Sequence, residues 1–332
     1  MFKDFSLEMI PVSQGTLRVR HGGSGPPLLL LHGHPRTHVT WWQIANRLAS
    51  QFTIVCPDLR GFGQSFLPAD TPDHIASSKR AKAQDCIELM EMLGHRRFAV
   101  AGHDRGSYVA YRAALDHPDR VDRLVVMDGV PILEALERAN EKFARLWWHW
   151  FFFGTPEKPE RAILADPDAW YGGSPDSMGE EAFEDYRNAT RDPDVVHAMI
   201  EDYRAGLSID RAHDLADRQA GRTVQCPALL LWSKRDDLEE LYGDPLSVWR
   251  PWAPGIIGWS IDSGHHMAEE APDDVAAALA GFLGTSAEPV KRSNAPEMLL
   301  SPVGARRSLI NRRRLAELHG RFSGPDAQFA EL

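Results

Sequence analysis

Residues 97–111, RFAVAGHDRGSYVAY, constrain this chain more than any other stretch: an apolar run of strand type enters a Gly-x-Asp-x-Gly turn and leaves it as a helix. Small residues at both flanks, Gly102 and Gly106, let the backbone bend sharply enough to hold the side chain between them clear of a sheet. That side chain is Asp104. A carboxylate there is unsuited to ordinary acyl transfer, but it can attack an electrophilic sp³ carbon and leave an ester that water later hydrolyses. Dehalogenation and epoxide opening are displacements of this kind. Alone, the pattern also describes a plain glycine turn, so its weight comes from its surroundings.

Those surroundings are strands separated by helical sequence. Apolar runs at 27–31, 52–57, 97–101, 123–127, 228–232 and 256–261 alternate with helical patterns, which predicts a mostly parallel sheet covered on both faces. Residues 5–12 and 16–20 read as an antiparallel hairpin around Gln14-Gly15, completing eight strands. From Asp128 to about Asp214 the sequence becomes aromatic-rich, helical and strand-poor, including FARLWWHWFFF at 143–153. The expected organisation is an α/β core of residues 1–128 and 214–285 with a helical cap, 129–213, inserted into it. Residues 286–332 form a basic tail, with RRSLINRRRL at 306–315, expected to be flexible; a short helix docking on a second copy, as in a homodimer, is the other reading.

A chain of 332 residues that is 43% hydrophobic can bury one large core and an inserted subdomain. Its 37 Lys+Arg against 47 Asp+Glu leave a net charge of −10, which disfavours nucleic acid and anionic membrane surfaces as partners and makes any anionic substrate depend on a local cation. Cys56, Cys86 and Cys226 are odd in number and widely separated, which suits neither a disulfide framework nor a zinc site; three reduced thiols are expected. No apolar signal core or membrane-length run is present, so a cytoplasmic, soluble protein acting on a small-molecule substrate is expected.

Three further motifs bear on chemistry. LHGHP at 31–35 follows the third strand, where a turn can present a backbone N–H to a developing oxyanion; the amides of His34 and Arg105 are the candidate donors. A metal site on His32, His34 and His38 is the rival reading, but no matching carboxylate cluster follows and Pro35 suits a turn better. DLRGFGQS at 58–65 lacks the spacing of a phosphate-binding loop and reads as a structural turn. IDSGHHMAEEAP at 261–272 leaves the last strand and enters a helix, placing His265 at the top of the sheet as general base, as a neutral imidazole near its ordinary pKa of about 6.5, with His266 as a neighbour. Its orienting acid is Asp128, at the end of the sixth strand, or Asp236, after the seventh; Asp128 is favoured.

Taken with VVMDGVP, WHW and EDYRAG, these motifs resemble the haloacetate (fluoroacetate) dehalogenases, within the larger haloalkane dehalogenase and epoxide hydrolase group of the α/β-hydrolase superfamily, from about Gly22 to Leu283. The resemblance implies Asp104 as nucleophile, Asp128 as orienting acid, Arg105 as the cation that binds a substrate carboxylate, and His149, Trp150 and Tyr203 as the halide site. Where those enzymes place a second carboxylate-binding Arg, this chain has Tyr108. A hydrogen bond to a charged group is worth about 1.5–3 kcal/mol and a phenol returns part of that, so a bulkier or less charged substrate is expected.

A water-poor halide site must also replace the hydration of a departing anion with fixed donors, and indole, imidazole and phenol suit that need. Trp147 and Trp148 are read as cap packing. The expected activity is hydrolytic dehalogenation of a short 2-haloacid to the 2-hydroxyacid, without cofactor or metal. Epoxide hydrolysis is the alternative, with Tyr203 or Tyr171 protonating the ring oxygen. A catalytically silent ligand receptor on the same fold is a third reading, weakened by the Asp104 and His265 pair.

Overall fold

Alternation of apolar side chains along each central strand produces the two-faced sheet. In the computed structural model, which describes residues 1–284, Leu29, Leu31, Val100, Leu124 and Val126 pack into one hydrophobic core, and Leu28, Leu30, Ala101, Val125 and Met127 into the core on the opposite face. Strand residues burying both faces need helices on both sides, and the chain supplies them.

The eight strands are β1 (Ser6–Val12), β2 (Gly15–Gly23), β3 (Pro27–Leu31), β4 (Thr53–Pro57), β5 (Phe98–His103), β6 (Val121–Met127), β7 (Ala228–Ser233) and β8 (Ile257–Ile261), in the order β1-β2-β4-β3-β5-β6-β7-β8. The hairpin β1–β2 and the β2–β4 pair are antiparallel; every other pair is parallel. The chain leaves β3 toward β4 and returns on the other side of β3 to β5. That reversal opens a crevice at the carboxyl ends of β3 and β5, where open α/β sheets bind ligands. The HGHP turn and Asp104 follow those two ends.

Between β6 and β7 lie only helices, from Ile132–Glu137 to Arg211–Gln219. Of their apolar residues, Phe143, Trp150, Phe153, Ile163 and Tyr203 join one of the two sheet cores, while Met178, Ala182 and Tyr186 form a small separate cluster with Val39. No described helix is long and apolar enough to cross a membrane. Cys56 and Cys86 are buried, Cys226 is half-buried, and all three are free thiols. The predicted tail, 286–332, and its basic stretch lie outside the described residues.

Candidate active site

Asp104 sits between β5 and the helix Arg105–Asp116 at φ 50°, a left-handed conformation that costs a non-glycine residue about 1–3 kcal/mol. Its neighbours make the bend compulsory. A Cβ on Gly102 would lie 2.1 Å from the Gly106 carbonyl oxygen, and one on Gly106 would lie 2.3 Å from that of Leu31. Glycine at both flanks is therefore what lets helix, β5 and β3 approach closely enough to raise the carboxylate. The His34 amide donates to Asp104 Oδ1 at 2.7 Å, and Arg105 opens the helix, where N–H groups lack an intrahelical acceptor.

His265 brings Nε2 to 3.8 Å from Asp104 Oδ2. On its other side Nδ1 donates to Asp236 Oδ2 at 2.8 Å, while Asp128 Oδ2 stands 3.5 Å away. The sequence favours Asp128 as the orienting acid; in the structure the hydrogen bond goes to Asp236. The reason is local: Asp128, itself at φ 47°, accepts from the Ser233 amide at 2.7 Å and from the Ser233 hydroxyl. It remains a buried negative charge beside the imidazole.

Burial opposes a charged imidazole, but hydrogen bonds and charge from Asp104, Asp128 and Asp236 outweigh it and hold His265 well above the usual histidine range. That differs from the neutral imidazole expected from sequence, because three carboxylates surround one ring. Burial likewise opposes ionisation of Asp104, and His265, His103 and Arg105 reverse this, keeping it a carboxylate far below the ordinary range.

Arg105 is 1% exposed. Its Nε and Nη2 donate to the side chain and backbone carbonyl of Asp202, at 2.5 and 2.9 Å, and its guanidinium lies 4.0 Å from the centre of the Tyr203 ring, with Tyr108 and Trp150 further out. Nη1 is buried and has no partner among the described residues. A buried donor left unpaired costs about 1–3 kcal/mol, so this nitrogen marks where an acceptor would be most stabilised.

A cavity of about 170 Å³ joins Asp104, His265, Asp128 and Asp236 to the helical insertion. Its insertion walls are Leu146, Trp147, His149 and Trp150, with Tyr108 from the core helix. The ring of Tyr203 packs edge-on to His149 and Trp150, with centroids 5.7 and 6.2 Å apart. Burial lowers His149 to about 4 and pushes the Tyr203 and Tyr108 phenols up, so each stays neutral and keeps its proton to donate. Trp147, assigned to packing from sequence, also donates to Asp237 at 2.7 Å in the same cavity; Trp148 is 49% exposed. Tyr171 brings its ring to 5.2 Å from that of His34, and its buried hydroxyl has no partner.

The other histidines of the HGHP region are structural. His32 Nε2 accepts from the Leu59 amide at 3.0 Å, and His38 Nδ1 pairs with Asp58 at 2.7 Å. DLRGFGQS is the turn that holds this pair, with Gly63 at φ 54° against the Asp58 carboxylate. Among the described residues, His103, Asp128 and His265 are close enough to share an ion. Their donor atoms are engaged, however: His103 Nε2 donates to the His265 carbonyl, and Ser233 holds Asp128.

Sequence reasoning missed Asp202 and its partners Lys79 and Lys82, whose Nζ atoms lie 2.9 and 3.1 Å from Asp202 Oδ1. A signal existed. In the helix Lys79–Met92 both lysines share a helical face with Cys86 and Leu89, a stripe that faces the core.

The model for the alpha/beta hydrolase fold matches residues 26–250. A fluoroacetate dehalogenase of Burkholderia sp is 41% identical over 292 residues, covering 85% of this chain and 95% of that protein. A soluble epoxide hydrolase of Corynebacterium sp. (strain C12) is 32% identical, covering 76% and 88%. The solved structure of ALR0039 from Nostoc sp PCC 7120 superposes with a TM-score of 0.82 at 40% identity, covering 85% of this chain and 99% of that one. With its sheet order, its elbow carboxylate and these relatives, the chain belongs to the alpha/beta hydrolase fold family, in the part of it that holds fluoroacetate dehalogenase and the soluble epoxide hydrolases.

Proposed function

We propose that this protein is a hydrolase that removes halide from a short 2-haloacid through an aspartyl ester. The observation that carries the reading is the unpartnered, buried Nη1 of Arg105, on the residue next to the nucleophile. A cation held there has a carboxylate to bind in a haloacid and little to bind in a neutral epoxide. The 41% identity to a fluoroacetate dehalogenase supports the same choice.

In the first step Asp104 Oδ2 attacks the halogen-bearing carbon and the carbon–halogen bond breaks, its electron pair leaving with the halide. His149, Trp150 and Tyr203 from the cap, residues 129–213, offer N–H and O–H donors to that anion. Ester formation removes the Asp104 charge and with it one of the groups that hold His265 protonated, so the imidazole gives up its proton to solvent and becomes a base when one is needed. It then takes a proton from water, and the resulting hydroxide adds to the Asp104 carbonyl carbon. Oδ1, already bonded to the His34 amide, carries the oxyanion, with the Arg105 amide as second donor. Collapse breaks the ester C–O bond, the leaving alkoxide takes the proton from the His265 imidazolium, and the 2-hydroxyacid leaves with the former Oδ2.

A second reading has its own observation: the unpartnered Tyr171 hydroxyl and Tyr203 flank His34, and two phenols could protonate an epoxide oxygen. Incubation with chloroacetate and with styrene oxide separates the two. Free chloride with no diol is expected; diol without chloride would transfer the assignment to epoxide hydrolysis.

A further inference from the structure

We infer that affinity for an anionic substrate is set by a buried charge cluster behind Arg105, in which Lys79 and Lys82 are positioning residues that act through Asp202. The inference rests on the haloacid reading and deepens it by naming what makes an anion acceptable to a site whose nucleophile is itself an anion.

Asp202 is fully buried and accepts the Nε–H of Arg105 at 2.5 Å. Were that pair alone, Asp202 would cancel most of the guanidinium charge, and a substrate carboxylate would meet a neutral ion pair next to the negative Asp104. It is not alone. Lys79 and Lys82 Nζ lie 2.9 and 3.1 Å from Asp202 Oδ1, off the directions of a well-aligned hydrogen bond but close enough for strong Coulomb attraction in a dry interior. Lys79 also pairs with Asp210 at 3.1 Å, and Lys82 donates to the Arg60 carbonyl at 3.0 Å. Three cations therefore face two carboxylates, and the neighbouring Arg60–Asp85 pair is neutral. One positive charge is left over, and the unpartnered donor of the cluster is Arg105 Nη1. Burial lowers Lys82 to about 8, with Asp202 pulling the other way, so it is charged at neutral pH. The two lysines thus make up from below for the cation that Tyr108 does not supply.

The test is chloroacetate binding measured by calorimetry on the Asp104→Asn protein, which cannot form the ester. Lys82→Met in that background is expected to weaken binding about tenfold, or about 1.4 kcal/mol, and Lys82→Arg, which keeps the charge, to recover most of it. Should methionine lower the melting temperature, Lys82→Gln, which keeps a donor for the Arg60 carbonyl, carries the same expectation. Unchanged affinity in the neutral variants, or equal loss in Lys82→Arg, would overturn the inference. Charge-dependent binding without chloride release by the parent enzyme would keep the cluster and remove the dehalogenation reading. Chloride release with binding indifferent to Lys82 would do the reverse.

Discussion

In the proposed mechanism His265 is the general base, and two acids stand beside its Nδ1. Asp236 takes the Nδ1 hydrogen bond, while Asp128, pinned by Ser233, contributes charge from 3.5 Å. Asp236→Asn should therefore slow ester hydrolysis about a hundredfold, within the usual range for general base catalysis. Asp128→Asn, which leaves the Nδ1 hydrogen bond to Asp236 in place, should slow it less. Neither should change the initial burst of halide, which does not require His265 as a base. Rapid-quench measurement of halide and of ester on Asp104 checks this; a deeper loss in Asp128→Asn than in Asp236→Asn would return the orienting role to Asp128. Sequence alone left this pair open because both acids follow strand ends that point to the same place. What separates them is Ser233, a hydroxyl brought in by β7, and nothing in the spacing of either motif announces it.

At the level of elements, much of the sheet was legible and its lengths were not. The expected strand 97–101 is Phe98–His103 in the structure, running up to the elbow, and the expected 16–20 is Gly15–Gly23. The extra residues at the far end of β2 are His21, Gly22 and Gly23, poor strand formers in the case of glycine, and they belong to the strand because β4 pairs with them, Gly22 with Ile54 and Gly23 with Thr53. Tertiary pairing overrides local preference there. The elbow was readable for the opposite reason: its glycines answer to close backbone contacts that no other residue tolerates. The halide candidates His149, Trp150 and Tyr203 do gather beside Asp104, two on the helix Trp148–Phe153 and one on Pro193–Ala205. Asp202, one residue before Tyr203, escaped notice because a helical acid is ordinarily solvated, and its partners Arg105, Lys79 and Lys82, all distant in the chain, explain its burial.

Over the whole molecule, a chain of net charge −10 buries the cations Arg105, Lys79 and Lys82. That arrangement ties stability to pH. Burial would raise Asp58 and Asp202, but His38 holds Asp58 down and Arg105, Lys79 and Lys82 hold Asp202 down, both well below the ordinary range. A carboxyl whose pKa is depressed on folding adds stability above its unfolded value of about 3.9 and loses it as pH falls through the folded value. The melting temperature should therefore drop steeply below about pH 4; a flat profile from there to acid would show that these buried pairs contribute nothing. The most direct measurement of the central claim, that a protein oxygen bonds to substrate carbon before solvent does, is one turnover of excess enzyme on chloroacetate in ¹⁸O water. An unlabelled 2-hydroxyacid and one heavy oxygen on Asp104 are expected. Label in that first product, with none in the protein, would contradict that claim.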